Sequence, residues 1–327
     1  MRKRTHFLAL LLPGLLWLSA CQNQPGAAIT VNAKGEMTAF GQPAADLETL
    51  KSLLVDSLAN LAVLPERLSV HFEGELGMGL RQEVETIATE ALEAARLAKI
   101  APTVETLSYR QEQGTDCDKP DSLRTFCAVL DLQYPSVVKG EKALQDSANQ
   151  WATRYLAALL DGGEKPQATT LDAGAATFFK NHAAFKGTPM GGSFEYRTGS
   201  DVLLNNGKYL TLAIHGETYQ GGAHGLQTQA IRTFDAQTGR ALTWVDLVTD
   251  PAAVKALAEK KVREARADVF QDGFNFDSTF PFVLPAAYGL TEEGLFLYYV
   301  PYEIMPYAMG ETEVSISLEE LGPLAKW

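Results

Sequence analysis

One stretch of this sequence, Phe7 to Leu18, is apolar enough to enter a bilayer, and it is too short to cross one. A spanning helix needs about 20 apolar residues. Arg2, Lys3 and Arg4 precede the run, Pro13 and Gly14 interrupt it, and the small residues Ser19 and Ala20 follow it. A basic end, a short apolar middle and a small-residue exit make an export leader. No later stretch is long and apolar enough to span, so the expectation is a water-facing body outside the cytoplasm. With 327 residues, 46% hydrophobic and 21% charged, the chain can bury a sizeable core, in roughly two domains. The 40 acidic residues against 28 basic leave a net charge of −12. Such a body repels a phosphate backbone, which excludes nucleic acid as a partner.

The leader ends in Leu18-Ser19-Ala20-Cys21. This resembles the lipobox of bacterial lipoproteins. The resemblance implies that the Cys21 thiol receives a diacylglycerol, that the peptide before it is removed, and that the new terminus is acylated. Several acyl chains hold a protein to a membrane where one is marginal. Gln22, not Asp, follows the cysteine, which by the same resemblance implies the outer membrane, facing the periplasm, in a host with two membranes. The alternative is an ordinary cleaved leader with an incidental cysteine. Cys117 and Cys127 remain, an even pair in an oxidising compartment, and a disulfide between them is expected. It would be worth ~2–3 kcal/mol in the chain-entropy model. A metal or redox pair is the alternative, but the gap fits no short ligand spacing.

The fold class expected is α+β, a small α/β unit followed by a mixed module with a mainly antiparallel sheet. After a leader (1–20) and a lipidated tether (21–28), the unit 29–102 reads β-β-α-β-α. Ile29–Val31 and Met37–Phe40 flank a turn, Leu47, Leu50, Leu54 and Leu58 recur at helical spacing, Leu68, Val70 and Phe72 alternate, and Leu80, Val84, Ile87 and Ala91 line a second helix. The stretch 103–165 reads as strands at Leu107–Gln111 and Phe126–Tyr134, ended by Pro135, then a helix from Glu141 to Leu160 stopped by Gly162-Gly163. In 166–327 a helix near 170–184 precedes strands at Ser193–Arg197, Tyr209–Tyr219, Leu226–Asp235, Leu295–Val300 and Val314–Ile316. Asp250 caps a helix opened by Pro251, with Val254, Leu257 and Val262 inward.

Two resemblances carry further. Ile29 to Gln42, with the helix after it, is similar in fold to the periplasmic domain of ExbD-type transport proteins, without that family's membrane helix or proton-carrying aspartate. Tyr219-Gln-Gly-Gly-Ala-His-Gly225, then Phe234-Asp235 with Thr238-Gly239-Arg240, Leu242 and Asp246-Leu247, then Tyr302-Glu-Ile-Met-Pro-Tyr-Ala-Met-Gly310 occur in that order. They resemble the extracellular domain of RsiV-type anti-sigma factors, found also in PdaC-type peptidoglycan deacetylases, over roughly residues 105–325. The resemblance implies a module that binds lysozyme or cell-wall glycan. The sigma-binding segment and the deacetylase domain are missing, so neither of those activities is implied.

The candidate binding residues are Tyr219, Gly221, Gly222, His224, Tyr302, Glu303 and Tyr307. Dense glycine places His224 on a turn between two strands. His215, Glu217 and Tyr219 share one strand face by period two, and with His224 they offer two imidazoles and a carboxylate. That spacing matches no standard zinc signature, so no metal and no cofactor is assigned. Glu303 would serve as an acid or base only if buried beside His224; otherwise its loop, with Pro301, Pro306 and Gly310, is architecture. Tyr298, Tyr299, Tyr302 and Tyr307 suit glycan stacking or a core equally well. No nucleophile elbow, phosphate loop or His-Glu-x-x-His is present. The function expected is a lipid-anchored envelope module, non-enzymatic, binding lysozyme or peptidoglycan. A ligand-free structural lipoprotein is the alternative, and a cell-wall sugar hydrolase using His224 and Glu303 stands behind both.

Overall fold

The computed structural model describes residues 28–61, 63–120, 123–163, 165–188 and 192–327. The leader, Cys21 and the rest of the tether up to residue 27 lie outside the described residues. Those that are described fall into two compact units, one ending at Arg96 and the other Leu97–Trp327. No helix among them is long and apolar enough to cross a membrane.

In the first unit, β1 (Ile29–Val31), β2 (Met37–Ala39), β3 (Gln42–Ala44) and β4 (Val70–Phe72) form a sheet in the order β3-β2-β1-β4. β1 runs parallel to β4 and antiparallel to β2. Asn32 makes the first turn, its Oδ1 accepting the N–H groups of Lys34 and Glu36 at 2.9 and 3.0 Å. The sequence reading misses β3, whose Pro43 argues against a strand. Proline is tolerated there because β3 is an edge. α1 (Leu47–Ala59) starts at Asp46, whose side chain accepts the Thr49 N–H, and turns Leu50, Leu54 and Leu58 inward. α2 (Met78–Ile100) adds Val84, Ala88, Ala91, Leu92 and Ala95 to the same core.

The second unit is built on a five-stranded sheet of β5 (Thr103–Gly114), β6 (Cys127–Lys139), β7 (Phe194–Asn205), β8 (Tyr209–Tyr219) and β9 (Leu226–Asp235), in that spatial order. All neighbours are antiparallel except β6 and β7, which α3 (Lys142–Asp161) and α4 (Leu171–Ala184) connect in parallel. The sequence reading separates 103–165 from 166–327. One sheet runs through both, because β6 pairs with β7 across the intervening helices. α3 and α4 cover one face, burying Leu130, Leu132, Leu156, Phe178, Phe194 and Tyr196. α3 ends at Gly162 with φ of 66°, the left-handed cap that glycine adopts without strain.

β6 does not stop at Pro135 but continues to Lys139. Its pairing with β7 ends at Leu132, so beyond that residue β6 is an edge. Val137, on the same side as Pro135 by period two, gives its N–H to Asn149 Oδ1 at 2.7 Å and accepts from Asn149 Nδ2 at 3.1 Å. The N–H that proline lacks would have pointed to this edge, so the strand loses no ladder bond there. The Cys117–Cys127 disulfide is present, with Cα atoms 5.1 Å apart.

After α5 (Trp244–Leu247), α6 (Pro251–Ala265) and α7 (Ala267–Gln271), a second sheet forms from β10 (Ala287–Leu290), β11 (Gly294–Tyr299) and β12 (Thr312–Ser317), followed by α8 (Leu318–Leu321). Asp250 caps α6 as expected, but Ala258 takes the fully buried position beside Val254 and Val262, and Leu257 is half-buried. β10 lies against β9 and β8 through Gly289. A Cβ there would sit 2.6 Å from methyl carbons of Ile231 and Thr211, so only glycine lets the sheets approach. The layers of this unit are therefore helices, sheet, sheet, helix. The chain as a whole is α+β and mostly antiparallel.

Candidate functional site

The second sheet covers only part of the first. Ala213 and Ile231 are buried beneath Ala287, with Phe296 and Tyr298 packed against them. One row further along β8, His215 is exposed, and so is Glu217. Cross-strand register aligns His215 with Gly199 and Gln229, and Glu217 with Arg197 and Gln227. The result is a polar groove of 470 Å³ that includes Gln133, Arg197, Gly199, His215, Glu217 and Tyr298 in its lining. His215 Nδ1 lies 3.2 Å from Asp201 Oδ2. Its ring is laid across Gly199, where an added Cβ would meet Nε2 at 2.3 Å. Sequence reasoning finds His215 and Glu217 but misses Gly199, Arg197 and the glutamines. Their alternation along β6, β7 and β9 is visible, but which rows face the same way depends on register.

At the far end of β8 the chain turns through Gly221 and Gly222, with φ of 85° and 101°. Tyr219 donates its hydroxyl to Gly222 O at 3.1 Å and so closes the turn. His224 follows, stacked on Tyr307 with centroids 3.8 Å apart. Its Nδ1 reaches Gly225 O at 2.9 Å, and the Tyr307 hydroxyl donates to the same carbonyl at 3.1 Å. Tyr302 lies 5.6 Å from Tyr307, centroid to centroid, and is 52% exposed. Six of the predicted residues (Tyr219, Gly221, Gly222, His224, Tyr302 and Tyr307) thus lie at or beside the hairpin tip. Tyr302 has φ of 74°, a left-handed conformation costly for a bulky aromatic.

Glu303 belongs to the loop's framework. Its Oε1 accepts the Ala286 N–H at 2.8 Å and its Oε2 the Val300 N–H at 3.2 Å. Burial raises its pKa above the ordinary carboxylate range, partly offset by those two backbone donors. Arg266 holds the other end of the loop, donating to Met309 O at 2.7 Å and Glu311 O at 3.1 Å. No hydrogen bond or ion pair among the described residues joins His224 to Glu303. The acid–base pairing considered for these two is therefore not assembled. Nor do His215, Glu217 and His224 form a metal site: among the described residues no cluster of three or more His, Cys, Asp or Glu is placed to hold a metal ion.

Groove and aromatic tip are neighbours. Glu217, on the groove floor, runs beside Gly225, with Oε1 3.5 Å from where a Cβ of that residue would be. The surface so formed runs from an amide- and charge-bearing sheet face to a group of partly exposed rings. It can pair with hydroxyl and amide edges at one end and stack on an apolar face at the other.

Comparison with known proteins places the fold. The chain is similar in fold to the crystal structure of a DUF3298 family member from Bacteroides fragilis, at 21% identity over 69% of this chain and 95% of that one, with a TM-score of 0.53. A DUF3298 family protein from Pseudomonas aeruginosa is similar at 17% identity over 68% of this chain and 95% of that one, with a TM-score of 0.49. No curated protein matches the chain. Residues 246–319, from α5 to α8 and including Glu303 and Tyr307, match the family described as "Protein of unknown function (DUF3298)", and the chain carries a DUF3298 domain.

Proposed function

We propose that the chain is a non-enzymatic binding module of the cell envelope, anchored through acylated Cys21. Its contact surface is the aromatic tip of Tyr219, His224, Tyr302 and Tyr307 together with the polar groove beside it. The observation that carries this reading is that Glu217 of the groove floor lies beside Gly225 of the tip, next to the stacked His224 and Tyr307. A glycan of the peptidoglycan type suits such a surface: sugar rings offer C–H faces to aromatics and hydroxyl and amide edges to side chains like Gln133, Gln227 and Glu217. Glu303, occupied at both oxygens, supports a binding role over a hydrolytic one.

The net charge of −12 favours a second reading, capture of a cationic protein such as lysozyme, which the resemblance to RsiV-type domains also implies. The test is a pull-down with the body from residue 22 onward, using purified sacculi and lysozyme side by side. Sedimentation with sacculi that His224→Ala weakens is the expected result. Lysozyme capture that weakens with salt would move the assignment to the second reading. Binding to neither would leave the module without a ligand of either class and overturn the proposal.

A further inference from the structure

The first unit holds an apolar pocket that the binding surface does not use. Its volume is 530 Å³, within the range of small-ligand sites, and its lining includes Ala28, Phe40, Val63, Leu64, Leu68 and Arg67. Two observations mark it as more than a gap in the core. Phe40 stands at φ of 46°, in the turn before Gly41, where Asn or Gly is the ordinary choice. That backbone places an aromatic ring in the pocket wall at a conformational cost. Val63, at the same pocket, is 84% exposed.

The place where the chain enters says what the pocket is for. Ala28, the first described residue, is itself part of the lining, and its N–H is held at 3.0 Å by Ser69 Oγ, another lining residue. Ile29 N–H then bonds Ser69 O at 3.1 Å. The polypeptide arriving from Cys21 is thus pinned at the pocket. Six residues, 22–27, lie between Cys21 and Ala28. The seven steps from Cys21 to Ala28 reach about 24 Å when fully extended, so an acyl chain on Cys21 can fold back into the pocket without strain.

We propose that this pocket takes one of the acyl chains carried by Cys21, with Arg67 and Ser69 supplying polar contacts for its ester end. The inference rests on the reading of Cys21 as acylated, and it gives the first unit a role separate from ligand binding by the second. A saturated chain needs an apolar lining and no specific hydrogen bonds, which matches the residues present. A bound chain would be shielded from water while the body is away from the bilayer.

The test uses the full chain, expressed in a bacterium fed a diazirine-bearing palmitate and irradiated in the intact envelope. Mass spectrometry of the mature amino terminus reads whether Cys21 carries the lipid. Mapping of crosslinks within the same chain reads where the acyl chain sits. The expected result is a labelled Cys21 with crosslinks in the 61–69 segment or at Phe40, reduced at least fivefold in Val63→Asp with Cys21 labelling unchanged. Val63 is exposed enough for that substitution to leave the fold intact. A labelled Cys21 crosslinked only to membrane lipid would overturn the pocket's role. An unlabelled Cys21 would overturn it by removing the anchor itself, a failure the amino-terminal mass makes separately visible.

Discussion

The His224 imidazole lies flat against the ring of Tyr307, with planes 18° from parallel, and both side chains bond the single carbonyl of Gly225. A carbonyl oxygen has two lone pairs, so it can accept from His224 Nδ1 and the Tyr307 hydroxyl together. The hairpin tip is thereby clipped to the 300–311 loop by a ring stack and one hydrogen bond, that of the Tyr307 hydroxyl, while the His224 bond stays within the hairpin. Tyr307→Phe keeps the stack and loses one donor. It should cost about 1 kcal/mol, a fall of roughly 2–4 °C in Tm. His224→Ala removes the stack and should also cost about 1 kcal/mol, while sacculus binding drops about tenfold. Thermal denaturation beside sedimentation reads both. Early unfolding of His224→Ala with unchanged binding would make the stack architecture alone.

Tyr302 offers a sharper separation of fold from function. Its left-handed backbone costs a non-glycine residue roughly 1–2 kcal/mol, and its ring is half exposed. Tyr302→Gly relieves that strain but gives the unfolded chain more freedom, so the two effects nearly cancel. Stability should hold within about 1 kcal/mol of wild type while binding falls. A variant that keeps its Tm and loses its ligand would show that the strain is held for contact. A loss of several degrees in Tm would assign the ring to packing.

The groove has its own probe in Gly199. A methyl added there meets the far end of the His215 ring, which can swing aside, and φ is not in the left-handed range. Gly199→Ala should therefore leave Tm nearly unchanged but push His215 off the sheet and away from Asp201. Binding to sacculi should weaken, and the NMR signals of the His215 ring should shift. Wild-type affinity in this variant would confine the contact surface to the aromatic tip.

How far the sequence reaches is visible in these same residues. The bounds of β8 and β9 follow from alternation and turn glycines, and Gly162 marks the end of α3, because each depends on neighbours along the chain. Motif resemblance marks His224, Tyr302 and Tyr307 as candidates but does not say that they meet. Non-local geometry is what escapes. β10 is four residues long and gains its place from the close approach at Gly289. The groove exists because β7 lies beside β8 in a register that puts Gly199 under His215. Glu303 looks like a candidate acid until Ala286 and Val300 are seen to occupy both its oxygens.

The disulfide loop carries a pH dependence whose direction can be worked out. Asp116 is almost fully covered and accepts the Thr125 N–H at 2.7 Å, the Thr125 hydroxyl at 2.7 Å and the Phe126 N–H at 3.0 Å. The Thr125 backbone donor is the chief cause, with its hydroxyl next, of a pKa pulled down to about 2. Lys119 Nζ adds a nearby positive charge at 3.7 Å. A carboxylate whose folded pKa is depressed stabilises the fold fully above its ordinary value near 4. That contribution is lost as pH falls from there toward about 2. Wild type should therefore lose more stability than Asp116→Asn between pH 4 and pH 2, although the variant starts lower at neutral pH. Urea denaturation at pH 5, 4, 3 and 2 measures this. Parallel decline of the two proteins would show that Asp116 stays equally hydrogen-bonded in the unfolded chain and contributes nothing to acid sensitivity.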